Sequence, residues 1–190
     1  MPEQRLFIAV EPPETVQESL FQELEPLRSM WRFPKWEACE KFHITMKFLG
    51  NVPDMKREAI QTALDIIAAE MEPFPVILGG LGVFPNTRKP RVIWIGVRSG
   101  GNSLKKLYSN IEESLVTIGF SREKRRFSAH ITVGRIKHPR FLDLPKTPAY
   151  EHRFRARCIS LIRSRLTPTG SEYTTVAEYP FHLHCGRSSE

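Results

Sequence analysis

Short apolar runs alternate with helical stripes along the chain. Leu6 to Val10 (LFIAV) reads as a buried strand, and after Pro12 and Pro13 a helix follows with Val16, Leu20, Leu24 and Leu27 on one face. Phe42 to Leu49 (FHITMKFL) is a second strand, and a helix from Asp54 to about Met71 carries the stripe Ile60, Ala63, Leu64 and Ile67. Two strands, Val76 to Phe84 and Val92 to Val97, flank a break at Pro85 to Pro90. The clearest helix has Leu104, Leu107, Ile111, Leu115 and Ile118 in one stripe, with Gly119 placed to end it in the left-handed conformation. Ala129 to Arg135 is strand-like, a polar Pro-rich connection covers Lys137 to Pro148, and long strands are expected at Phe154 to Leu166 and Tyr173 to Tyr179 around a turn at Thr167 to Ser171.

The elements repeat. Shifting the numbering by the 87 residues that separate His43 from His130 places Leu6 on Ile93, Ile8 on Ile95, Val10 on Val97, Leu20 on Leu107 and Leu24 on Ile111. The same shift sets His43-Ile44-Thr45 on His130-Ile131-Thr132 without a gap. Any two strand-helix-strand units share apolar spacing, but that spacing does not require a His-Ile-Thr triplet to fall in register. A duplicated unit with two similar lobes is the expected architecture, spanning residues 1–190 as one domain.

Composition narrows the class. With 190 residues, 41% of them hydrophobic and 26% charged, the chain fills one globular unit and excludes a multidomain machine. No apolar run approaches the roughly 20 residues that span a bilayer, and Leu6 to Val10 is too short for a signal peptide's apolar region, so no membrane is expected and the cytoplasm is the expected location. Cys39, Cys158 and Cys185 are too few and scattered for a disulfide scaffold and read as reduced thiols. Lys and Arg outnumber Asp and Glu by 28 to 21, a net +7 that favours anionic partners such as nucleic acid or phosphorylated metabolites.

The candidate chemistry lies in the two triplets. Alternation along a strand projects His43 with Thr45, and His130 with Thr132, while Ile44, Met46, Ile131 and Val133 point into a core. Two lobes packed about a two-fold axis would bring both pairs to one cleft. In-line displacement at phosphorus needs one group to deprotonate the attacking oxygen and another to protonate the leaving oxygen, and imidazole serves either end. The threonine hydroxyls can donate to non-bridging oxygens as negative charge builds there. A lone His-x-Thr is an ordinary half-exposed strand position; two in register are not. No Asp, Glu or Cys stands at short ligand spacing beside either histidine and no His-Glu-x-x-His helix exists, so a site without a metal is expected.

Neighbouring residues divide. Lys47 shares the face of His43 and Thr45 if the strand stays regular, and would then attract phosphate; otherwise it is a solvated strand-end lysine. Arg135 has the opposite parity to His130 and needs a bulge or a strand end to reach the site, where its fork suits phosphate. His182, His184 and Cys185 resemble a metal-ligand cluster but read as an exposed terminal strand or tail. Gly79, Gly80 and Gly82 match neither a dinucleotide fingerprint nor a Walker loop, and strand bending accounts for them. The run Arg122, Lys124, Arg125 and Arg126 can track a nucleic-acid backbone or simply solvate the loop before His130.

These residues resemble the two-histidine (2H) phosphoesterases, and within them the bacterial and archaeal RNA 2′,3′-cyclic phosphodiesterases, also called 2′-5′ RNA ligases. The resemblance covers nearly the whole chain. It is carried by RLFIAV at Arg5 to Val10, FHITMKFLG at Phe42 to Gly50, GGLGVFP at Gly79 to Pro85, PRVIWIGV at Pro90 to Val97, AHITVGR at Ala129 to Arg135, and SRLTPTG at Ser164 to Gly170 with Tyr173.

The resemblance implies a bilobal α+β fold, with antiparallel sheets lining a central cleft and helices outside. It implies opening of a terminal 2′,3′-cyclic phosphate on RNA to a 2′-phosphate without a metal or other cofactor. By motif position, His43 resembles the proton donor to the departing 3′ oxygen and His130 the acceptor that activates water; residue types alone do not orient these roles. Arg135 matches a substrate-contacting position, and Phe7 and Phe48 match aromatic positions near the nucleobase, although from the residues alone both phenylalanines read as core. The expected partners are RNA ends or nucleotides carrying a 2′,3′-cyclic phosphate, bound by a monomer. Two alternatives stand beside hydrolysis: ligation by the reverse reaction, and a noncatalytic module that holds RNA ends, which would gain more from Arg or Lys than from titrating imidazoles.

Overall fold

The computed structural model describes residues 3–145, 150–168 and 170–182. Nine strands and four helices follow one another as β1 (Glu3–Val10), α1 (Glu14–Glu23), α2 (Glu25–Met30), β2 (Lys35–Trp36), a 3₁₀ turn at Cys39–Lys41, β3 (Ile44–Pro53), α3 (Asp54–Ala69), β4 (Phe74–Phe84), β5 (Val92–Ser99), α4 (Gly101–Thr117), β6 (His130–Arg135), β7 (His152–Ala156), β8 (Cys158–Thr167) and β9 (Gly170–Pro180). All strand pairs are antiparallel, in the order β7-β4-β5-β6-β3-β1-β8-β9 with β2 added beside β6, and the sheet curls into a half-barrel. The halves meet where Ile44 of β3 pairs with Ile131 of β6. Moving outward from that seam, β1 and β8 follow on one side and β5 and β4 on the other.

Alternation assigns the two faces different work. Leu6, Ile8, Val10, Ile44, Ile93, Ile95 and Ile131 join helix residues Leu20, Ile60, Leu64, Leu104, Leu107 and Ile111 in the main core. The opposite face carries a separate small cluster of Phe7, Ala9 and Ile162, with Tyr173 packed on it. Helices therefore cover one face and leave the other for a cleft. Among the described residues no helix is long and apolar enough to cross a membrane.

Three expectations change. The first helix is two, because Pro26 sits in the first turn of α2, where its missing N–H and its ring are tolerated but a continuous helix through Leu24 is not. The long strand expected at Phe154 to Leu166 is also two, β7 on β4 and β8 on β1, in different halves of the sheet. Arg157 separates them, its carbonyl accepting from the Phe181 N–H at 2.7 Å, and no Gly or Pro marks the break. Finally, the ungapped repeat slips. Ile8 pairs with Lys47 as Ile93 pairs with Gly134, so β1 matches β5 at 93 − 8 = 85 residues while β3 matches β6 at 134 − 47 = 87. A slip of two keeps every side chain on its face, so the apolar pattern could not reveal it. Gly119 meets the expectation, closing α4 at φ +87°.

The register also breaks next to the seam in each inner strand, and these two breaks correspond; β3 has a second one further out, at Leu49. Ile8 pairs with Lys47 and Ala9 with Thr45, leaving Met46 as an extra residue; Ile93 pairs with Gly134 and Trp94 with Thr132, leaving Val133. A bulge reverses parity beyond it. Lys47 consequently lies on the core face, buried, where its Nζ donates to Glu112 of α4 at 2.5 Å and to the Ser121 carbonyl at 2.9 Å. The Glu112 carboxylate also accepts from the Glu123 N–H at 3.0 Å, so one buried pair fastens β3 to α4 and to the loop entering β6. Breaking such a pair strands a charge in a low-dielectric interior. Lys47→Met or Glu112→Gln alone is expected to cost about 3–5 kcal/mol in urea unfolding, with Lys47→Met combined with Glu112→Leu recovering most of it.

Candidate functional site

Both histidines stand at the seam. His43 immediately precedes β3 and His130 begins β6. Continuing the Ile44–Ile131 pairing one residue either way sets His43 opposite Thr132 and Thr45 opposite His130. The imidazoles are then diagonal neighbours, at a spacing of about 7–8 Å between backbone positions, which leaves room for one tetrahedral phosphoryl group between the rings. His43, Thr45, His130 and Thr132 are all partly exposed, between buried Ile44 and Ile131, so alternation places the four groups together on the face opposite the main core.

Backbone carbonyls hold the rings. The His130 Nδ1–H donates to the Ser128 carbonyl at 2.7 Å, and the His43 ring is hydrogen-bonded to the Lys41 backbone, again two residues back. For His130 this leaves Nε2 as the nitrogen available for proton transfer. Burial pushes the His43 imidazole down from its ordinary 6.5 to about 4; the Lys41 bond opposes this, and the positive charges of Arg135 and His130 add to it. His130 is lowered as well, chiefly by burial and also by Arg135, against the pull of its Ser128 bond. The two rings and the guanidinium are thus close enough to act on one another.

The bulges decide which neighbours join them. Beyond Val133 the parity change brings Arg135 to the face of His130 and Thr132, the bulge that the sequence required. Its Nε–H donates to Glu37 at 2.9 Å. Beyond Met46 the same change removes Lys47, which corrects the expectation that this lysine attracts phosphate; a regular strand would have kept it on the site, and the extra residue turns it into the core. Phe48 instead returns to the cleft side, exposed, in register with Phe7.

Aromatic rings wall both sides. Phe7 lies 4.9 Å from the His43 ring, 5.8 Å from Phe48 and 5.1 Å from Tyr173, and Tyr173 meets His43 edge-on at 5.5 Å. On the other side Phe84 and Trp94 meet His130 at 5.1 and 6.2 Å. Gly80 bends β4 at φ +80°, and any Cβ on Gly82 would run into the Trp94 indole, so these glycines shape the strand as expected. Phe84, Trp94 and Glu37 escaped the sequence reading because only cross-strand pairing, such as Trp94 with Thr132, brings them to the histidines. Arg122, Lys124, Arg125 and Arg126 are exposed on the loop leading into β6. His182 is exposed; His184 and Cys185 lie outside the described residues. Among the described residues no group of three or more His, Cys, Asp or Glu is placed to hold a metal, and Cys39 and Cys158 are free thiols.

Comparison with known proteins points one way. The family described as LigT like Phosphoesterase matches residues 10–94. The RNA 2′,3′-cyclic phosphodiesterase of Methanocaldococcus jannaschii is 35% identical over 186 residues, covering 92% of this chain and 99% of the relative. That of Archaeoglobus fulgidus is 36% identical over 173 residues, covering 89% and 96%. Among solved structures, E. coli LigT complexed with 3′-AMP superposes with a TM-score of 0.81 at 22% identity, over 96% of this chain and 100% of that one. Thermus thermophilus TT0787 gives 0.78 at 27% identity, over 93% and 97%.

The electrostatics yield a direct measurement. In an NMR titration the His43 ring is expected to protonate near pH 4 and His130 below its ordinary 6.5, both neutral at pH 7. Arg135→Ala removes a positive charge and should raise both midpoints; unchanged midpoints would place the guanidinium away from the rings.

Proposed function

The chain belongs to the 2H phosphoesterases, in the family of RNA 2′,3′-cyclic phosphodiesterases, and from that membership we propose that it opens 2′,3′-cyclic phosphate ends of RNA or nucleotides to 2′-phosphomonoesters without a metal. The observation that carries this reading is the meeting of His43, His130 and Arg135 at one seam of the sheet. The positive balance of the chain favours the same anionic substrates.

In the proposed reaction water attacks phosphorus on the side of His130, whose Nε2 takes its proton. The P–O3′ bond breaks on the far side, where protonated His43 gives its proton to the departing oxygen. One proton is gained and one lost, and the histidines exchange charge states. Thr45, Thr132 and Arg135 donate to the non-bridging oxygens as charge gathers there. The free protein holds His43 neutral, because burial and the neighbouring Arg135 cation oppose its protonation. A bound phosphodiester reverses that balance, since its negative charge between the rings favours imidazolium. The acid is thereby armed by the substrate. The Phe7, Phe48 and Tyr173 wall offers flat apolar surface for the nucleobase, in keeping with the nucleotide held by E. coli LigT.

The test is turnover of an oligonucleotide ending in a 2′,3′-cyclic phosphate in excess EDTA. Wild type is expected to retain its rate, and His43→Ala and His130→Ala to lose about 10²- to 10⁴-fold each. Full activity in either variant would remove that histidine from the chemistry, and loss of the wild-type rate in chelator would introduce a metal.

The pH dependence follows from the lowered midpoints. One imidazole must be protonated and the other free, so kcat/KM should be bell-shaped with its maximum on the acid side of pH 6.5. The kcat bell should lie at higher pH, because bound anion raises both groups. With chemistry shown to be rate-limiting, a flat profile from about pH 5 to 9 contradicts the two-histidine mechanism.

A further inference from the structure

Glu37 stands beside the site while belonging to neither histidine motif. It follows β2, and its backbone N–H donates at 2.9 Å to the carbonyl of Val133, the extra residue of the second bulge. Its carboxylate, only 15% exposed, accepts from Arg135 Nε at 2.9 Å. Main chain and side chain of one residue therefore grip the bulge and the arginine that the bulge delivers.

The carboxylate is not needed to hold β2 in place. Lys35 and Trp36 already pair with Arg135 and Gly134, the Trp36 indole donates to the Trp31 carbonyl at 3.1 Å, and the two indoles stack at 6.4 Å. What it restrains is the Arg135 side chain, half exposed and otherwise free to explore many rotamers. The bond uses one of the five guanidinium N–H donors, and among the described residues the Arg135 side chain makes no other hydrogen bond, so both Nη groups remain for a ligand.

We infer that Glu37 is a positioning residue, fixing Arg135 through Nε so that its Nη donors meet the non-bridging oxygens of the phosphoryl group between His43 and His130. The inference rests on the phosphodiesterase reading above. Glu37 also carries the negative charge that offsets Arg135, whose cation lowers both imidazoles.

Glu37→Ala and Glu37→Gln, each in the wild-type and Arg135→Ala backgrounds, test this by turnover of the cyclic-phosphate oligonucleotide and by urea unfolding as a check on the fold. Glu37→Ala is expected to lower kcat/KM by about 10- to 100-fold, and Glu37→Gln, which keeps an acceptor for Nε, to recover most of it. In the Arg135→Ala background either change should add less than about twofold. Equal losses in both backgrounds, or full activity of Glu37→Ala, overturn the inference. Imidazole titration by NMR reads the same link without turnover. Glu37→Gln should lower the His43 and His130 midpoints, and midpoints that stay put overturn the link even in an active protein. A wild-type protein that leaves the oligonucleotide intact but shows the titration shifts fails the phosphodiesterase reading while the Glu37–Arg135 link survives.

Discussion

Ile44 facing Ile131 is the constraint on which the site depends. That pairing joins the two halves of the sheet, and the residues on either side of it are the histidines and threonines of both motifs. The isoleucines are fully buried in the main core, so the seam is anchored by apolar contact from the helix side while its other face stays open. Sliding one half by two residues would preserve every apolar contact pattern yet shift one imidazole past the other by a full strand repeat, about 7 Å, and lose the diagonal spacing between them. Fixing that register falls to what surrounds the seam, including the buried Lys47–Glu112 pair that ties β3 to the helix of the other half.

Such a pair is poorly explained as a source of net stability, because two charges leave water to make it. Its geometry is more telling. Lys47 departs from β3 two residues after Thr45, and Glu112 and Ser121 belong to the helix and loop that lead into His130. Apolar side chains could fill the same space but would tolerate small displacements. A lysine and a carboxylate that must meet tolerate few.

Much of this was legible in the chain and some was not. Periodicity located α3, α4 and β6 because each buries one stripe or one face against a single neighbour layer, and β1 stood out as a continuous apolar run buried on both faces. The repeated His-Ile-Thr marked the candidate reactive groups, since nothing in core packing requires a histidine there. The facing of both Lys47 and Arg135 is conditional in the sequence for one reason: a bulge is a property of two strands together, and Met46 and Val133 carry no residue signal for it. The division at Arg157 is hidden similarly, because the alternating end of β7 runs into the apolar start of β8 with no Gly or Pro between them, and the change of partner strand leaves no local mark.

The departures from symmetry supply the direction that two equivalent motifs lack. Beyond the first bulge the cleft position is Phe48, and beyond the second it is Arg135. A guanidinium suits phosphoryl oxygens and an aromatic ring suits a base, so in the proposed reaction these unlike walls would orient a nucleotide end and, with it, its ester oxygens. The surroundings of the two rings differ to match. His43 lies among Phe7 and Tyr173 and is the more strongly depressed, whereas His130 shares a strand with the cation. The repeat thus brings two imidazoles to one seam, and in the proposed mechanism the unlike residues after each bulge are what would set an acid apart from a base.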